Sequence, residues 1–161
     1  MVLAGAAEEK PFQLTIVPES SSEHSSSISF AKDSKRAFFV VLTNTSDKPQ
    51  SIFESWNSWG YQAIAFEMIR PSGERTKVFV KPQSFSKNFP STYVIPARGH
   101  QVFPITFNDE WDVKPDFGES GRTKIKLTAV YEVHATKESG EKKVWTGRIV
   151  SETIDTEVNH W

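Results

Sequence analysis

Hydrophobic and polar residues alternate with a period of two along most of this chain. The longest alternating segment is 123–134, TKIKLTAVYEVH, whose apolar side chains lie two positions apart. Shorter segments with the same pattern begin at Phe12, Ile28, Ile64 and Phe103. Because successive side chains of a β-strand point to opposite faces of a sheet, this pattern predicts strands with one buried and one solvent-facing side.

One segment departs from the alternation. AFFVVLTN at 37–44 has five consecutive large apolar residues after its alanine, Phe38 to Leu42, and no polar residue before Thr43. Strands with apolar residues on both faces are typical of sheet centres that are covered on both sides. The segment therefore predicts a central strand that is buried on both faces.

Turn signals divide the apolar segments. The clusters NTSDKP, PSGE, PARGH and KESGEK are rich in the residues that favour turns. KESGEK separates the segments 123–135 and 143–150, which predicts a hairpin. No window of helical length has an amphipathic stripe. We therefore expect an all-β, antiparallel sandwich of about eight or nine strands with almost no helix.

The apolar pattern slips near the end of the chain, where the apolar side changes between Ile149 and Ile154. An extra residue in one strand shifts all later side chains to the other face, so the slip predicts a β-bulge near Ser151. Trp145 is in phase with Ile149 and is predicted to be a core residue. Gly147 between them leaves space for the large indole ring.

Two segments carry no strand pattern. PESSSEHSSS at 18–27 is polar and serine-rich, and it predicts a mobile loop. Residues 1–10 predict a disordered segment before a single domain at 11–158. Within it, Ala4-Gly5-Ala6 has the small-x-small form of a signal-peptidase site, as in a signal-peptide remnant. An alanine-rich start without a targeting role is the alternative.

Composition narrows the classes of function and location. The 161 residues include no cysteine, which removes disulfides, thiolate catalysis and zinc–thiolate sites. The net charge of -1 gives no basic surface for a nucleic acid. No apolar run approaches the roughly 18 residues of a membrane helix, so membrane insertion is not expected. Small exported domains of eukaryotes usually carry disulfides, so the absence of cysteine favours a periplasmic or secreted bacterial protein. A cytoplasmic location is the alternative.

Four segments carry a resemblance to known proteins: FFVVLTNTSDKPQSIF, IPARGHQVFPITF, KIKLTAVYEV and VWTGRIVSETI. In this order, over residues 36–155, they resemble the Ig-like β-sandwich domains of exported bacterial proteins. The order is also similar to that of the bacterial intracellular proteinase-inhibitor family. The resemblance implies an antiparallel Ig-like β-sandwich. It implies no particular activity, because this architecture hosts many functions.

Residues that could carry chemistry lack a recognised spacing. The four histidines form no H-x-H or H-E-x-x-H pattern, and are predicted to be scattered over the surface: His24, His100, His134 and His160. In NDEWD, the carboxylates of Asp109, Glu110 and Asp112, with Asp116 nearby, are weak candidates for a calcium site. A solvated acidic loop is the preferred interpretation, because the regular D-x-D-x-D-G spacing is missing. Neither a nucleophile motif nor a phosphate loop is present, so no enzyme activity and no cofactor are expected.

Aromatic residues in predicted loops are the candidate ligand-binding residues: Trp56, Trp59, Tyr61 and Trp111. Exposed rings could stack on sugars or contact a protein. Alternatively, the loop folds over the core, with Asn57 and Ser58 in the turn and Gly60 supplying backbone freedom. Trp56 and Trp59 are three positions apart, so they do not share a strand face. We expect one of them to cover the core and the other to remain partly exposed.

These observations predict a non-catalytic, exported binding or accessory module whose partner is a protein or a carbohydrate. A loop-mediated protease inhibitor and a carbohydrate-binding module that uses the loop aromatics are the two alternatives of that kind. A metal-dependent hydrolase with acidic residues at 109–112 is the alternative from another class. Asn44-Thr45-Ser46 also has the form of a glycosylation acceptor, at a predicted turn.

Overall fold

The computed structural model describes residues 10–112 and 120–161, and these form an all-β sandwich. They contain thirteen strands and a single turn of helix. In chain order the elements are β1 Phe12–Val17, β2 Ser20–Ser22, β3 Ser25–Phe30, β4 Phe38–Asn44, β5 Gln50–Phe53, β6 Ile64–Ile69, β7 Arg75–Val80, β8 Thr92–Ile95, β9 His100–Ile105, β10 Trp111–Asp112, β11 Gly121–Val133, α1 Lys137–Glu141, β12 Gly147–Val150 and β13 Ile154–His160. Thirteen strands exceed the eight or nine that the pattern predicts; eight of them have six or more residues, and the other five are short.

The strands form two layers and a small ribbon. One layer is a three-stranded sheet in the order β1-β4-β9. The other is an eight-stranded sheet in the order β10-β7-β6-β11-β13-β3-β2, with β12 paired to β11. Strands β5 and β8 form a separate two-stranded sheet. The pairings between these strands are antiparallel except that of β13 with β3, which is parallel. Two isolated bridges, Phe30–Phe107 and Ser51–Val144, are also parallel.

The core lies between the two layers. Phe38 of β4 contacts Phe66 of β6 with 5.6 Å between ring centroids, and Phe103 of β9 lies 6.1 Å from Tyr131 of β11. Phe38, Phe66 and Tyr131 are at most 1% exposed. The Phe38–Phe66 pair is edge-to-face, and such pairs add specific contacts to the burial of apolar area. The alternating residues of the sequence are therefore the residues that join the two sheets.

The prediction for residues 37–44 is right about position and wrong about burial. Strand β4 is central in its sheet, between β1 and β9. Its side chains nevertheless alternate, and Phe39 is 39% exposed. Phe39 lies in register with Val17 and Pro104, on the face that points away from the core. The described residues cover only one face of this sheet, so consecutive apolar residues do not imply burial on both faces.

The serine-rich segment is a hairpin and not the predicted mobile loop. Strands β2 and β3 pair through Ser20–Ser27 and the positions that follow. Strand β3 also pairs with β13, where the buried residues Ile28 and Val158 lie opposite each other. The Ser26 hydroxyl donates to the carbonyl of Asp155 at 2.8 Å. The order of this segment comes from a partner strand far away in the sequence, which local composition does not reveal.

The predicted hairpin and bulge near the end of the chain are both confirmed. Strand β12 pairs with β11 up to Val130–Val150, and β13 resumes the pairing at Leu127–Ile154. Two residues of β11 therefore face three residues at 151–153, which is a one-residue bulge. The Ser151 hydroxyl accepts the backbone N–H of Ala129 at 2.9 Å, which replaces a ladder bond.

Trp145 is less buried than predicted. It precedes β12, is half-buried, and packs edge-on against Phe12 with the ring centroids 5.4 Å apart. It also stacks on Tyr131 at 6.2 Å. The predicted role of Gly147 is confirmed, because a Cβ there would lie 2.8 Å from Cζ2 of Trp145. Trp145 covers the edge of the core instead of filling it.

Asn44 joins two segments of one interrupted ribbon. Strands β4 and β9 pair on one side of it, and β5 and β8 pair on the other. Its side-chain amide donates to the carbonyls of Lys48, Ile95 and Pro96 at 2.7, 3.2 and 3.0 Å. Asn44 is fully buried. The residue that has the form of a glycan acceptor is therefore a structural link within the fold.

The ends of the chain bear on two earlier predictions. The predicted disordered segment and the Ala4-Gly5-Ala6 pattern fall on residues 1–9, which lie outside the described residues. At the other end, β13 continues to His160, two residues past the predicted domain end. The side chain of His160 is buried next to Thr123, so His160 is not the surface residue that the sequence suggested.

In the described part of the chain, no helix has the length and hydrophobicity needed to cross a membrane.

Candidate functional site

Two connecting segments pack together at one end of the sandwich. Segment 54–63 joins β5 to β6, and segment 81–91 joins β7 to β8. The Asn88 side chain accepts the backbone N–H of Ser58 at 3.0 Å and donates to its hydroxyl at 2.7 Å. The ring of Phe85 lies 5.5 Å from that of Tyr61. Segment 81–91 has no regular secondary structure, and these contacts hold it against segment 54–63.

Asn57 organises the first of these segments. It is fully buried, and its amide donates to the carbonyl and hydroxyl of Ser91 at 3.0 and 3.2 Å. Its side-chain oxygen accepts the backbone N–H groups of Trp59 and Gly60, both at 3.1 Å. The turn predicted at Asn57 is therefore present, and the side chain ties that turn to the neighbouring segment.

Glu54 adds a second connection between the segments. One of its carboxylate oxygens accepts hydrogen bonds from the Ser91 hydroxyl and, at 2.9 Å, from the indole N–H of Trp56. The Ser91 bond first and the Trp56 bond second hold the pKa of Glu54 below its ordinary value. The ionised carboxylate is thus a structural acceptor that orients the Trp56 ring.

Gly60 is needed for space and not for the backbone freedom that we expected. A Cβ at this position would lie 2.4 Å from the carbonyl oxygen of Glu54. No real side chain fits at that distance, so any other residue would separate the turn from the strand end before it. The tight approach keeps Glu54 within reach of Ser91.

The two tryptophans take different environments, as predicted. Trp59 is half-buried and packs on the core, with its ring 6.2 Å from that of Phe53. Trp56 is 42% exposed. It forms an edge-to-face pair with Phe89, which is 56% exposed, and their ring centroids are 4.8 Å apart. We call Trp56 and Phe89 the aromatic pair.

The other two candidate aromatics lie elsewhere. Trp111 belongs to the short strand β10 and not to a loop, and it packs on Phe66 and Phe107 at 5.6 and 5.3 Å. Tyr61 is half-buried. Tyr61 and Trp111 both line a cleft of about 520 Å³ at the open side between the two layers. The four predicted residues therefore occupy three places and do not form one common surface.

This interlayer cleft has an apolar floor and a polar mouth. Side chains from both layers form the floor: Ile64, Val80, Phe103 and Ile105. Lys35 and Glu110 line the same cleft. Burial first, and the nearby Glu110 carboxylate second, raise the pKa of Tyr61 above its ordinary value. The cleft thus combines core side chains with charged groups of opposite sign.

The acidic segment does not gather a set of metal ligands. Within residues 10–112 and 120–161, no group of three or more potential metal-binding side chains is close enough to hold an ion. Asp109 and Glu110 are exposed, and Asp112 lies in β10. Their turn is fixed through the backbone, because Lys81 donates from its N–H to the carbonyl of Glu110. Asp116 lies outside the described residues.

Sequence reasoning missed Phe89 and Phe85, which complete the loop contacts of Trp56 and Tyr61. Both lie in KPQSFSKNFPS, where an aromatic residue recurs in an otherwise polar segment. That recurrence was the available signal. The chain matches no protein-family model and no curated protein.

Proposed function

We propose that this chain is a non-catalytic binding module that docks on a protein partner through Trp56 and Phe89. The observation that carries the proposal is that two large rings are exposed side by side on segments fixed by hydrogen bonds. Tryptophan contributes strongly to the energy of protein interfaces. Segments that are already ordered lose little conformational entropy on binding, which favours affinity.

The carboxylate beside the aromatic pair supports a binding role over a catalytic one. Glu54 accepts bonds from Ser91 and Trp56, and its pKa is lowered, so it is held in the ionised form. A general acid or base at neutral pH needs a pKa raised toward 7. Glu54 is suited to position Trp56 and not to transfer protons.

The geometry of the aromatic pair favours a protein over a carbohydrate. The planes of Trp56 and Phe89 are inclined at 72°. Two sugar rings of one chain would stack best on two ring faces that lie side by side in one plane. An edge-to-face pair instead forms a compact apolar projection, which fits a pocket on a protein surface.

The proposal can be tested with the double variant Trp56→Ala/Phe89→Ala. Affinity capture from extracts of the native cells should retain a protein on the wild-type chain and lose it on the double variant. The matched control is Val102→Ala. Val102 is an apolar residue on the outer face of β9, and it is 49% exposed. Capture by this control should equal that by the wild type, and all chains should melt at similar temperatures.

Two outcomes would contradict protein docking through the aromatic pair. If the double variant retains the same protein as the wild type, the docking surface lies elsewhere. If a glycan array gives a ligand whose binding requires Trp56, the carbohydrate-binding alternative replaces the proposal. The array therefore belongs in the same experiment as the capture.

Segment 81–91 favours protease inhibition as a second candidate function. It is largely exposed and irregular, yet it is tied to the fold at Asn88 and Ser91. A loop held in this way can occupy a protease site without being released after cleavage. Incubation with a panel of serine and cysteine proteases should then reduce the activity of one of them with the chain intact. Rapid cleavage within 81–91 by every protease that accepts it would eliminate this candidate.

Export stays a prediction, and with it the periplasmic or secreted location. It is supported by the small-residue pattern at Ala4-Gly5-Ala6 and by a composition without cysteine. A full-length precursor with a preceding apolar segment would support export. Expression of that precursor with and without the segment, followed by cell fractionation, is the direct measurement.

A further inference from the structure

The interlayer cleft is separate from the aromatic pair and has its own chemistry. Its floor residues Ile64, Val80 and Ile105 are core side chains that are 6–8% exposed. The cleft volume of about 520 Å³ is within the range of small-ligand sites, which are commonly about 300–1,000 Å³. Most such sites combine an apolar lining with a few polar groups that fix the ligand's orientation.

Two charged side chains of opposite sign line this cleft. Lys35 and Glu110 belong to different connections, before β4 and before β10, and both are exposed. In the part of the chain that the structure describes, neither makes an ion pair, with each other or with another residue. Both charges are therefore available to a ligand in the cleft.

The edge of strand β9 limits which kind of ligand the cleft can bind. The strand borders the cleft from Phe103 to Ile105, and among the described residues it pairs with β4 alone, so its other edge is open to an added strand. Pro104 is the second-to-last residue of this edge strand and has no N–H to donate. Proline in an edge strand opposes the addition of further strands. The cleft thus suits a compact ligand better than an extended peptide strand.

We propose that the interlayer cleft binds a compact zwitterion with apolar side chains, of the class of a free dipeptide. The apolar groups would contact Ile64, Val80 and Ile105. The ligand's carboxylate would lie near Lys35, and its ammonium group near Glu110. Trp111 and Tyr61 at the same cleft provide ring surfaces beside the ammonium group.

The probe is the dipeptide phenylalanyl-leucine with free termini, titrated into the whole chain and followed by methyl NMR. The resonances of Ile64, Val80 and Ile105 should shift and saturate with a Kd below about 1 mM, as expected for a ligand of this size. Acetylating the amino terminus or amidating the carboxyl terminus should each weaken binding about threefold to fivefold, the usual effect of one exposed ion pair.

Two charge variants assign each end of the ligand. In Lys35→Gln, amidation should no longer weaken binding, while acetylation still does. In Glu110→Gln, acetylation should lose its effect, while amidation keeps it. The matched controls Lys142→Gln and Glu152→Gln change exposed charges outside the cleft, and both end effects should persist in them.

Thr106→Trp is a steric test at a half-buried position beside the floor. It should abolish the methyl shifts without lowering the melting temperature. The proposal is overturned if no saturable shift occurs up to about 10 mM dipeptide, which corresponds to negligible affinity. It is also overturned if the blocked dipeptide binds equally well, or if the shifts lie outside the cleft. Trp56→Ala should leave this binding unchanged, because the aromatic pair is a different site.

Discussion

At the scale of single residues, the candidate site depends on polar side chains more than on the aromatics that first mark it. Asn57 fixes the turn through four hydrogen bonds, and Glu54 orients the ring of Trp56. A buried amide whose hydrogen bonds are all made stabilises the fold. Removing it is costly, because its former partners are left with unsatisfied donors or acceptors. The exposed rings are therefore presented by a small polar network underneath them.

Trp56 and Trp59 should respond differently to substitution. Trp59→Ala removes a half-buried ring from the core edge and should lower the free energy of unfolding by about 2–3 kcal/mol, below the roughly 3–5 kcal/mol typical of fully buried aromatics. Trp56→Ala removes a largely exposed ring and should cost about 1 kcal/mol or less. Urea denaturation of both variants gives the comparison. Equal losses would contradict the different environments of the two rings.

Glu54 should make the aromatic pair sensitive to acid. Its pKa is lowered in the folded state, while in the unfolded chain it has the ordinary value of 4.5. A carboxylate of this kind stabilises the fold above its unfolded pKa, and the contribution disappears as the pH falls through the folded pKa. The indole N–H resonance of Trp56 should therefore move as the pH is lowered below 4.5.

Glu54→Gln is the control for this pH effect, since it removes the ionisable group and retains an acceptor oxygen. The acid transition of the Trp56 resonance should be absent in this variant. A transition in wild type centred above 4.5, or an unchanged transition in Glu54→Gln, would show that another group is responsible.

At the scale of elements, side-chain hydrogen bonds at interruptions of the sheets hold the strands in place together with the backbone hydrogen bonds between strands. The ribbon of β4, β5, β8 and β9 is interrupted, and Asn44 bonds three carbonyls across the interruption. The bulge opposite β11 is closed in the same way, by the hydroxyl of Ser151. In both places a side chain supplies a bond that the backbone ladder lacks.

Asn44→Ala should be destabilising because it removes a buried amide that bonds three carbonyls, although those of Lys48 and Pro96 keep a second donor in Ser46 and Gly99. Removing one partner from buried hydrogen bonds costs about 1–3 kcal/mol in free energy of unfolding. Asn88→Ala is the matched control, because its amide bonds are exposed and should cost less than about 1 kcal/mol. Thermal denaturation of the two variants measures the difference. A loss at Asn44 no larger than that at Asn88 would contradict its linking role.

Gly147 and Trp145 should behave as a coupled pair. Gly147 has a φ of +145°, and a Cβ there would also meet the Trp145 ring at 2.8 Å. Gly147→Ala should thus be destabilising for two reasons, backbone strain and steric overlap. In a Trp145→Ala background only the backbone part remains, so the cost of Gly147→Ala should fall by about 1 kcal/mol or more. Equal costs in both backgrounds would mean that the ring moves away freely.

At the scale of the whole molecule, the sequence predicted what depends on local pattern. The alternation identified the long strands, and the slip near Ser151 identified the bulge, because both follow from the period of a strand. The split of Trp56 and Trp59 was predicted from strand geometry, but the structure places both residues in a turn. Their different environments come from the hydrogen bonds of Glu54 and Asn57. The site was only partly predictable, since Trp111 and Tyr61 meet at the interlayer cleft because β10 pairs with β7, a strand far from it in the sequence.

The failures share one physical cause. Phe39 is exposed because nothing described covers the outer face of its sheet, and this coverage depends on the whole fold. The serine half of the strand Ser25–Phe30 was missed because its pairing partner lies far along the chain, and hydroxyl side chains give no hydrophobic signal. Phe89 joined the site through contacts between two separate segments. Information of this kind is absent from any single stretch of sequence.

The parallel pairing of β3 with β13 has a consequence for synthesis on the ribosome. Ser27 lies opposite Glu157, so 130 sequence positions separate the two. At a translation rate of about 5–20 residues per second, β3 waits roughly 6–26 s for its partner. During that time β3 pairs with β2 and, once residue 107 has been made, bridges to Phe107 at Phe30, while the rest of its other edge is open to other nascent chains. Serine is a poor residue for forming intermolecular sheets, because such sheets favour hydrophobic segments of high β-propensity.

The serine content of β2 should therefore matter to the yield of folded protein more than to its stability. Ser21→Val, at an exposed position, should leave the melting temperature of the purified chain nearly unchanged, as surface substitutions usually do. The soluble fraction on expression should fall, and slowing translation should lower it further. An unchanged soluble fraction would contradict this. In that case the serines would have no protective role, whereas a fall would mean that they shield a strand whose partner has yet to be made.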